Sequence, residues 1–319
     1  MDRKKVGRTN LEISGIGLGT GTFGREIDEE KSFEIMDYAV ENGITFFDTA
    51  EAYGGGQAYE IRKQAYGTTD VREKSTEMSS SELIIGRWMK SRGTRKDIEL
   101  CTKISGGKAR PDQIRTALDA SLERLGTDFV DIYKIHSPDV NTPIVESLEA
   151  MGEQVDLGKI KIIGGANYNG EQIAEMLDQA KKNKYRRFEI MQPNYNMAVP
   201  EAEIDVFPIC TKEQISITSY SPLGAGFLTG KYIRGDRNAI PKGTRMDVAP
   251  AHIDIYFNDR SFNIVDKLKY KVDQLGVPMT QLAMAWAMSH TSVTAVLAGA
   301  KSTSHLPVRT YRVRNTIYS

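Results

Sequence analysis

The 319-residue sequence contains few of the residues that form disulfides or bind metals, with two cysteines and four histidines. Cys101 and Cys210 lie in apolar stretches, and no cysteine or histidine stands near another at the spacing of a metal site. We therefore expect two reduced, buried cysteines, no metal site and a cytoplasmic location.

Long apolar runs and an excess of charge are also lacking. No apolar stretch approaches the roughly 18 residues that a membrane-spanning helix needs. The basic N-terminus, MDRKKVGRTN, has no apolar core of a secretory signal. Acidic and basic residues number 42 each, so charge gives no reason to expect nucleic acid or a membrane as a partner.

Apolar segments alternate with amphipathic helical segments along the chain. Most of the apolar segments are near-continuous runs, which is typical of parallel strands buried on both faces. Eight such units in about 300 residues predict one (β/α)8 TIM barrel over 1–319, whereas a doubly wound sheet has about six strands. The predicted strands cover 15–21, 44–50, 97–104, 129–136, 160–166, 188–194, 215–221 and 294–300.

Four segments lie outside this alternation. KVGRTNLEIS (5–14) predicts a hairpin that closes the lower end of the barrel, and 224–261 predicts a long loop after strand seven. The 57–79 segment is a polar insert after strand two, and two interpretations stay open: a lid that narrows substrate choice, or a solvated surface excursion. The tail, 301–319, lacks helical periodicity, so either the eighth helix is incomplete or this end of the sequence is altered.

Polar residues recur at the carboxyl ends of the predicted strands, which all open into one mouth in a barrel. Each has an ordinary structural explanation when taken singly, such as a loop cap, a surface lysine or a core histidine. Their recurrence on different strands favours one shared site. The residues are Asp48, Tyr53, Lys103, His136, Asn167, Gln192 and Tyr220.

A physical mechanism joins four of these residues. A free tyrosine has a pKa near 10, and an ammonium beside the phenol favours the phenolate. We therefore expect Lys103 to lower the pKa of Tyr53, with Asp48 holding Lys103 charged and neutral His136 orienting a carbonyl oxygen or relaying the proton. This set suits proton donation during hydride transfer, and the hydride must come from a cofactor.

The segments that carry these residues resemble the aldo-keto reductase family over roughly Arg8 to Lys301. The resemblance implies NADPH-dependent reduction of a small-molecule aldehyde or ketone, with sugars as one candidate class, and favours NADP over NAD. The matching segments are FFDTAEAYG (46–54), CTKI (101–104), YKIHSPD (133–139), GKIKIIGGANYN (158–169), MQPNYN (191–196) and TSYSPLGAGFLTGKY (218–232).

The resemblance also implies cofactor-binding residues. Asn167 and Gln192 would hold the nicotinamide carboxamide, and Tyr220 would stack under the ring. Lys301 and Ser302 would meet the 2′-phosphate of NADP. The pyrophosphate would lie along Ser221, Leu223, Gly224 and Lys231.

The sequence departs from the family at both ends of the implied cofactor. Ala166 stands where the family often has serine, which removes one hydrogen bond, worth about 0.5–1.5 kcal/mol. His305 stands where glutamine or arginine is common, and Arg309 where an asparagine would hold the adenine. The resemblance also leaves open a cofactor-binding barrel that acts as a regulatory or structural subunit. Oligomeric state is not predicted.

Two dehydrogenase motifs have a different interpretation in a barrel. GTGTFG (19–24) matches a Rossmann fingerprint, with Asp48 near the position of its ribose-binding acid. However, REIDEE intervenes before the next helix, whereas a fingerprint turn leads directly into one. We interpret Gly21 and Thr22 as a mouth loop close to the nicotinamide end of the cofactor. Tyr59 and Lys63 mimic the Y-x-x-x-K pair of short-chain dehydrogenases but fall in the polar insert.

Overall fold

Eight parallel strands close into a barrel in a computed structural model that describes residues 1–67, 69 and 71–307. The predicted TIM barrel and N-terminal hairpin are confirmed: β3 to β10 close in chain order, and β1 pairs with β2 antiparallel. The strands are β1 (Arg3–Lys5), β2 (Glu12–Ser14), β3 (Ile16–Gly19), β4 (Phe46–Asp48), β5 (Glu99–Ile104), β6 (Val130–Ile135), β7 (Ile160–Ala166), β8 (Ile190–Gln192), β9 (Ser216–Ser219) and β10 (Val293–Gly299).

Local sequence explains where many of the surrounding helices begin and end. Asp28 accepts a hydrogen bond from the backbone of Lys31 at the first helix, and Asn169 and Gln172 form a capping box at the sixth. Gly126 ends the fourth helix in a left-handed conformation. The helices are α1 (Glu29–Glu41), α2 (Gly55–Tyr66), α3 (Ser80–Arg92), α4 (Pro111–Leu125), α5 (Ile144–Asp156), α6 (Gly170–Asn183), α7 (Val206–Lys212), α8 (Arg245–Val248), α9 (Ala251–Tyr256), α10 (Asp259–Leu275) and α11 (Met279–Ser289).

The barrel interior is apolar in its lower half and polar in its upper half. Phe46, Cys101, Ile132 and Ile190 belong to one buried cluster inside the barrel. Because side chains alternate along a strand, the residues two positions further on face the same interior, one layer closer to the mouth. Those residues are Asp48, Lys103, Lys134 and Gln192.

The hairpin closes the amino-terminal end of the barrel, as predicted. Val6 and Ile13 are fully buried in the same cluster as the lower interior residues. Lys4 Nζ donates to the carbonyl oxygen of Val293 at 3.0 Å, at the first residue of β10. The hairpin therefore lies at the end opposite the mouth.

The polar segment 57–79 is partly helical, since α2 runs through its first half. The pair Arg62–Glu73, 2.7 Å apart and with both side chains almost fully buried, ties the second half back onto this helix. The backbone of Ser75 then donates to the carbonyl of Gly24 at 2.8 Å. The segment therefore packs against the loop that follows β3.

The remaining predictions concern the long loop, the tail and the cysteines. Short helices α8 and α9 lie within 224–261, and the tail forms one 3-10 turn at Thr303–His305. Residues 308–319, and with them the predictions about Arg309 and the eighth helix, lie outside the described residues. Cys101 and Cys210 are both free and buried, as expected. Across the described residues, no helix is both long enough and apolar enough to cross a membrane.

Candidate active site

Asp48 and Lys103 form a buried ion pair at the carboxyl end of the barrel. Lys103 Nζ donates to Asp48 Oδ1 and to the carbonyl oxygen of Thr49, both at 2.6 Å. Burial alone would raise the pKa of the Asp48 carboxyl, but the ammoniums of Lys103 and Lys134 lower it to about 2. Burial alone would lower the pKa of Lys103, but the Asp48 carboxylate raises it above its ordinary value. Both groups are therefore charged at neutral pH.

Tyr53 places its hydroxyl beside this pair and beside a histidine. Its oxygen lies 3.4 Å from His136 Nε2, and Lys103 Nζ lies 4.9 Å from the centre of its ring. Burial raises the pKa of Tyr53, and the Lys103 ammonium offsets only part of that rise. The predicted net lowering of this pKa is wrong because the phenol is so deeply buried. The phenol is therefore protonated at neutral pH, which is the form that a proton donor requires.

The imidazole of His136 is neutral. Burial, together with the nearby ammoniums of Lys103 and Lys134, lowers its pKa to about 3. A neutral imidazole has one donor and one acceptor nitrogen, so Nε2 can accept from the Tyr53 hydroxyl or donate to a substrate oxygen.

A second buried lysine joins the cluster and was not predicted. Lys134 Nζ lies 3.2 Å from Asp48 Oδ2 and 2.6 Å from Gln192 Oε1. Alternation along β6 contained the necessary signal, because Lys134 precedes His136 by two residues and so faces the same interior.

Asn167 and Tyr220 meet at the mouth of the barrel. The Tyr220 hydroxyl donates to Asn167 Oδ1 at 2.8 Å, and Asn167 Nδ2 donates to the carbonyl of His136, also at 2.8 Å. Asn167 has a left-handed φ of 62°, which asparagine tolerates better than most residues. The predicted carboxamide ligands, Asn167 and Gln192, thus both bond to members of the same cluster.

The loop after β9 contains the residues predicted to line a pyrophosphate. Ser221 and Gly224 have left-handed φ angles of 54° and 56°, and Leu223 lies between them. Asn196, fully buried, donates to the carbonyl of Ser221 at 2.9 Å and so holds this bend. A Cβ on Gly226 would come within 3.0 Å of Lys231 Nζ, so the loop and the lysine are close together.

Two lysines and a histidine gather at the rim beside this loop. Burial, and then repulsion from Lys301, lowers the pKa of Lys231. Burial, and then Lys301 and Lys231, lowers the pKa of His305. Lys301 Nζ donates to the carbonyl of Gly243 at 2.8 Å, and the Ser302 hydroxyl bonds Ser304 at 2.8 Å. The two ammoniums, which lie close enough to repel each other, fit an anion such as a phosphate.

Two arginines contact the mouth loop after β3 and were not predicted. The carbonyl oxygen of Gly21 accepts a hydrogen bond from Arg25 and another, at 3.1 Å, from Arg245 Nη1. Thr22 donates its hydroxyl to the carbonyl of Ala300 at 2.9 Å. The contact with Arg245 joins residues 224 apart in sequence, so only the folded chain shows it.

The other motif residues have ordinary contacts. Lys63 Nζ lies 5.7 Å from the ring centre of Tyr59, in a cation–π contact along α2. Ala166 is buried at the end of β7. Within residues 1–67, 69 and 71–307, no three His, Cys, Asp or Glu side chains are grouped so that they could hold a metal ion.

Comparison with known proteins identifies relatives over nearly the whole chain. The family model described as "Aldo/keto reductase family" matches residues 15–307. A "Probable voltage-gated potassium channel subunit beta" of Arabidopsis thaliana is 33% identical over 96% of this chain and 89% of that protein. An "Uncharacterized oxidoreductase YrpG" of Bacillus subtilis (strain 168) is 30% identical over 96% of this chain and 89% of its own length. An "Aldo-keto reductase yakc [NADP(+)]" of Schizosaccharomyces pombe is 28% identical over 95% of this chain and 84% of its own length.

Proposed function

The chain belongs to the aldo/keto reductase family, and we propose that it reduces an aldehyde or ketone to an alcohol with NADPH and with Tyr53 as the proton donor. The observation that carries the proposal is the buried cluster of Tyr53, Lys103, Asp48 and His136. Oxidoreductase activity is general in the family, whereas the substrate and the roles of individual residues are our inference.

The residues of this cluster have distinct roles in the proposed reaction. When bound, reduced nicotinamide supplies a hydride, which forms the new C–H bond at the carbonyl carbon. Tyr53 gives its proton to the carbonyl oxygen, which completes the alcohol and leaves a phenolate. Lys103 stabilises that phenolate, Asp48 holds Lys103 in place, and the neutral His136 orients the carbonyl oxygen through Nε2.

The cofactor proposed is NADPH, with Asn167, Gln192 and Tyr220 at the nicotinamide end. Ser221, Leu223 and Gly224 would line the pyrophosphate, together with Lys231. The rim lysines support NADP over NAD, because the additional 2′-phosphate would relieve the repulsion between Lys231 and Lys301.

We also propose that the segment 57–79 acts as a lid over one side of the mouth. Ser75 bonds the backbone of the mouth loop after β3, and Arg72 forms an ion pair with Asp247 in α8. The segment thus bridges two loops that border the cofactor residues, and this position lets it limit which carbonyl compounds enter.

The test of function is NADPH oxidation by the purified full chain with aromatic aldehydes, ketones and keto-sugars. We expect measurable turnover with at least the reactive aldehydes, and faster turnover with NADPH than with NADH. A chain that binds NADPH but oxidises it with none of these compounds contradicts a reductase function.

A second candidate function is a cofactor-binding regulatory subunit. The observation that favours it is the identity of 33% with a protein named as a channel subunit. The complete Asp48–Tyr53–Lys103–His136 cluster favours a reductase instead. NADPH binding without turnover in the same assay would favour the subunit.

A further inference from the structure

Lys134 is a second buried ammonium in the barrel, and the proposed reaction does not yet use it. It lies near the carboxyl end of β6, and its side chain is fully buried. Nζ has three acceptors, Gln192 Oε1 at 2.6 Å, Asp48 Oδ2 at 3.2 Å and Thr218 Oγ1 at 3.3 Å. These acceptors come from three other strands, β8, β4 and β9. An ammonium has three donors, so each is matched to one acceptor across the barrel.

The charge balance of the cluster depends on this lysine. Asp48 accepts from Lys103 through Oδ1 and from Lys134 through Oδ2, so two ammoniums share one carboxylate. His136 is neutral, and the thiol of Cys101, whose pKa burial raises to about 12, stays protonated.

Tyr53 is the remaining titratable group of the cluster. Besides Lys103 and Asp48, the guanidinium of Arg25 also acts on its pKa. The cluster of Asp48, Lys103, Lys134 and Tyr53 therefore carries one net positive charge with Tyr53 protonated and none with Tyr53 as a phenolate. Lys134 acts on this balance through Asp48, because its ammonium offsets the carboxylate that would otherwise repel the phenolate.

Lys134 also fixes the orientation of the Gln192 amide. Only an oxygen can accept from an ammonium at 2.6 Å, because a flipped amide would set its NH2 group against the positive charge. Gln192 Nε2 is then directed to Asp48 Oδ1, at the longer distance of 3.3 Å. The N–H group is therefore the end of Gln192 that remains available to a carboxamide.

We propose that Lys134 is a positioning residue that couples the proton donor to the cofactor side of the site, an inference that rests on the proposed function. Its ammonium holds Asp48 and Gln192 at once. Through Asp48 it offsets the negative charge beside the Tyr53 phenolate, and through Gln192 it fixes the amide that meets the cofactor.

The test compares Lys134→Met with the unaltered protein in two measurements. In the pH profile of kcat/KM for carbonyl reduction, the fall at alkaline pH reports loss of the Tyr53 proton. Removing the ammonium should move this inflection to higher pH by about half a pH unit or more. NADPH affinity, measured by fluorescence titration, should weaken about three- to tenfold because Gln192 is no longer held.

Two further variants test whether the charge of Lys134 within the site is responsible for these changes. Lys161→Met removes a lysine from a Lys–Asp pair of 2.6 Å on neighbouring β7, outside the site, and should change neither measurement. Lys134→Gln keeps a polar side chain without the charge, so it should show the same alkaline shift with a smaller loss of NADPH affinity. It also serves as the test if Lys134→Met does not fold.

A double-mutant cycle shows whether Lys134 acts through Gln192. The variant Lys134→Met/Gln192→Leu should bind NADPH no more weakly than Gln192→Leu alone. An alkaline inflection and an NADPH affinity unchanged in both Lys134 variants would overturn the inference. Failure of the unaltered protein to oxidise NADPH would instead overturn the proposed function, and the affinity comparison would still test the coupling to Gln192.

Discussion

At the scale of single residues, burial decides the protonation state of the groups around Tyr53. Water is excluded from Asp48, Lys103 and Lys134, whose side chains are at most 2% exposed. A carboxylate between two ammoniums remains charged under these conditions, whereas the phenol and the imidazole remain neutral. The site thus contains a phenol that is protonated at neutral pH and cations that stabilise the phenolate after the proton has left.

Two buried imidazoles make stability depend on pH. The folded chain holds the pKa of His136 at about 3 and of His252 at about 4, both below the ordinary 6.5. The unfolded chain binds more protons between those values and about pH 6.5, so the free energy of unfolding should rise with pH through this window. His252 Nε2 accepts from Arg245 at 3.2 Å, a bond that protonation would abolish.

We expect His252→Gln to flatten this dependence. Thermal unfolding of both proteins from about pH 4.5 to pH 8 measures this dependence. Near pH 8 the imidazole is neutral in the folded and the unfolded chain, so the difference between variant and unaltered protein at this pH is the baseline. An equally steep dependence in the variant would assign the effect to other groups.

Lys301 provides a test of cofactor preference at the rim. Lys301→Met should weaken NADPH binding about tenfold and leave NADH binding nearly unchanged, because only NADPH has a 2′-phosphate. Lys242→Met, at a nearby exposed lysine, is the matched control and should affect neither. An equal loss of affinity for NADPH and NADH would show that Lys301 contacts a part of the dinucleotide other than the 2′-phosphate.

Single residues differ in how far sequence could predict them. Asp48, Lys103 and Gln192 lie at or next to the carboxyl ends of barrel strands, and strand alternation is enough to bring them into one interior. The direction of the Tyr53 pKa could not be predicted, because it depends on how deeply the ring is buried. Arg245 could not be predicted either, since its contact with Gly21 spans 224 residues of chain.

At the scale of elements, strands were more predictable than the helix α2. Most barrel strands lie in largely apolar runs, and such runs predict strands that are buried on both faces. In α2, buried Gly55 and Gly56 pack against backbone, and buried Arg62 pairs with Glu73 from further along the chain. Tertiary contacts rather than periodicity therefore stabilise this helix.

Arg62→Met should loosen the segment 57–79, because it leaves the buried carboxylate of Glu73 without this partner. Breaking a buried pair by removing one member typically costs about 3–5 kcal/mol. We expect faster proteolysis within the segment and, if it is a lid, altered relative rates across a panel of aldehydes. Arg115→Met removes an exposed pair with Glu153 and should change neither. Faster proteolysis with unchanged relative rates would contradict the lid.

At the scale of the whole molecule, the two ends of the barrel have separate tasks. The hairpin seals the lower end with apolar side chains, whereas the mouth collects the charged cluster and the cofactor residues. Substitutions in the packing at the hairpin end should therefore change the stability of the protein and leave the reaction at the mouth unaffected.

Ile13→Ala tests this separation. Ile13 is fully buried beneath the barrel, so its truncation should lower the free energy of unfolding by about 2–5 kcal/mol. NADPH affinity should not change. Ile204→Ala, at a side chain that is 79% exposed, should alter stability by no more than about 0.5 kcal/mol. A loss of NADPH affinity in Ile13→Ala would show that the two ends are coupled.

NADPH oxidation with a reactive aromatic aldehyde, compared between the unaltered protein and Tyr53→Phe, tests directly whether Tyr53 is the proton donor. The phenylalanine keeps the ring between Lys103 and His136 but has no proton to give. We predict that turnover falls by a factor of about 10² to 10⁴ in this variant while NADPH affinity stays within about twofold. Near-normal turnover in Tyr53→Phe would contradict it.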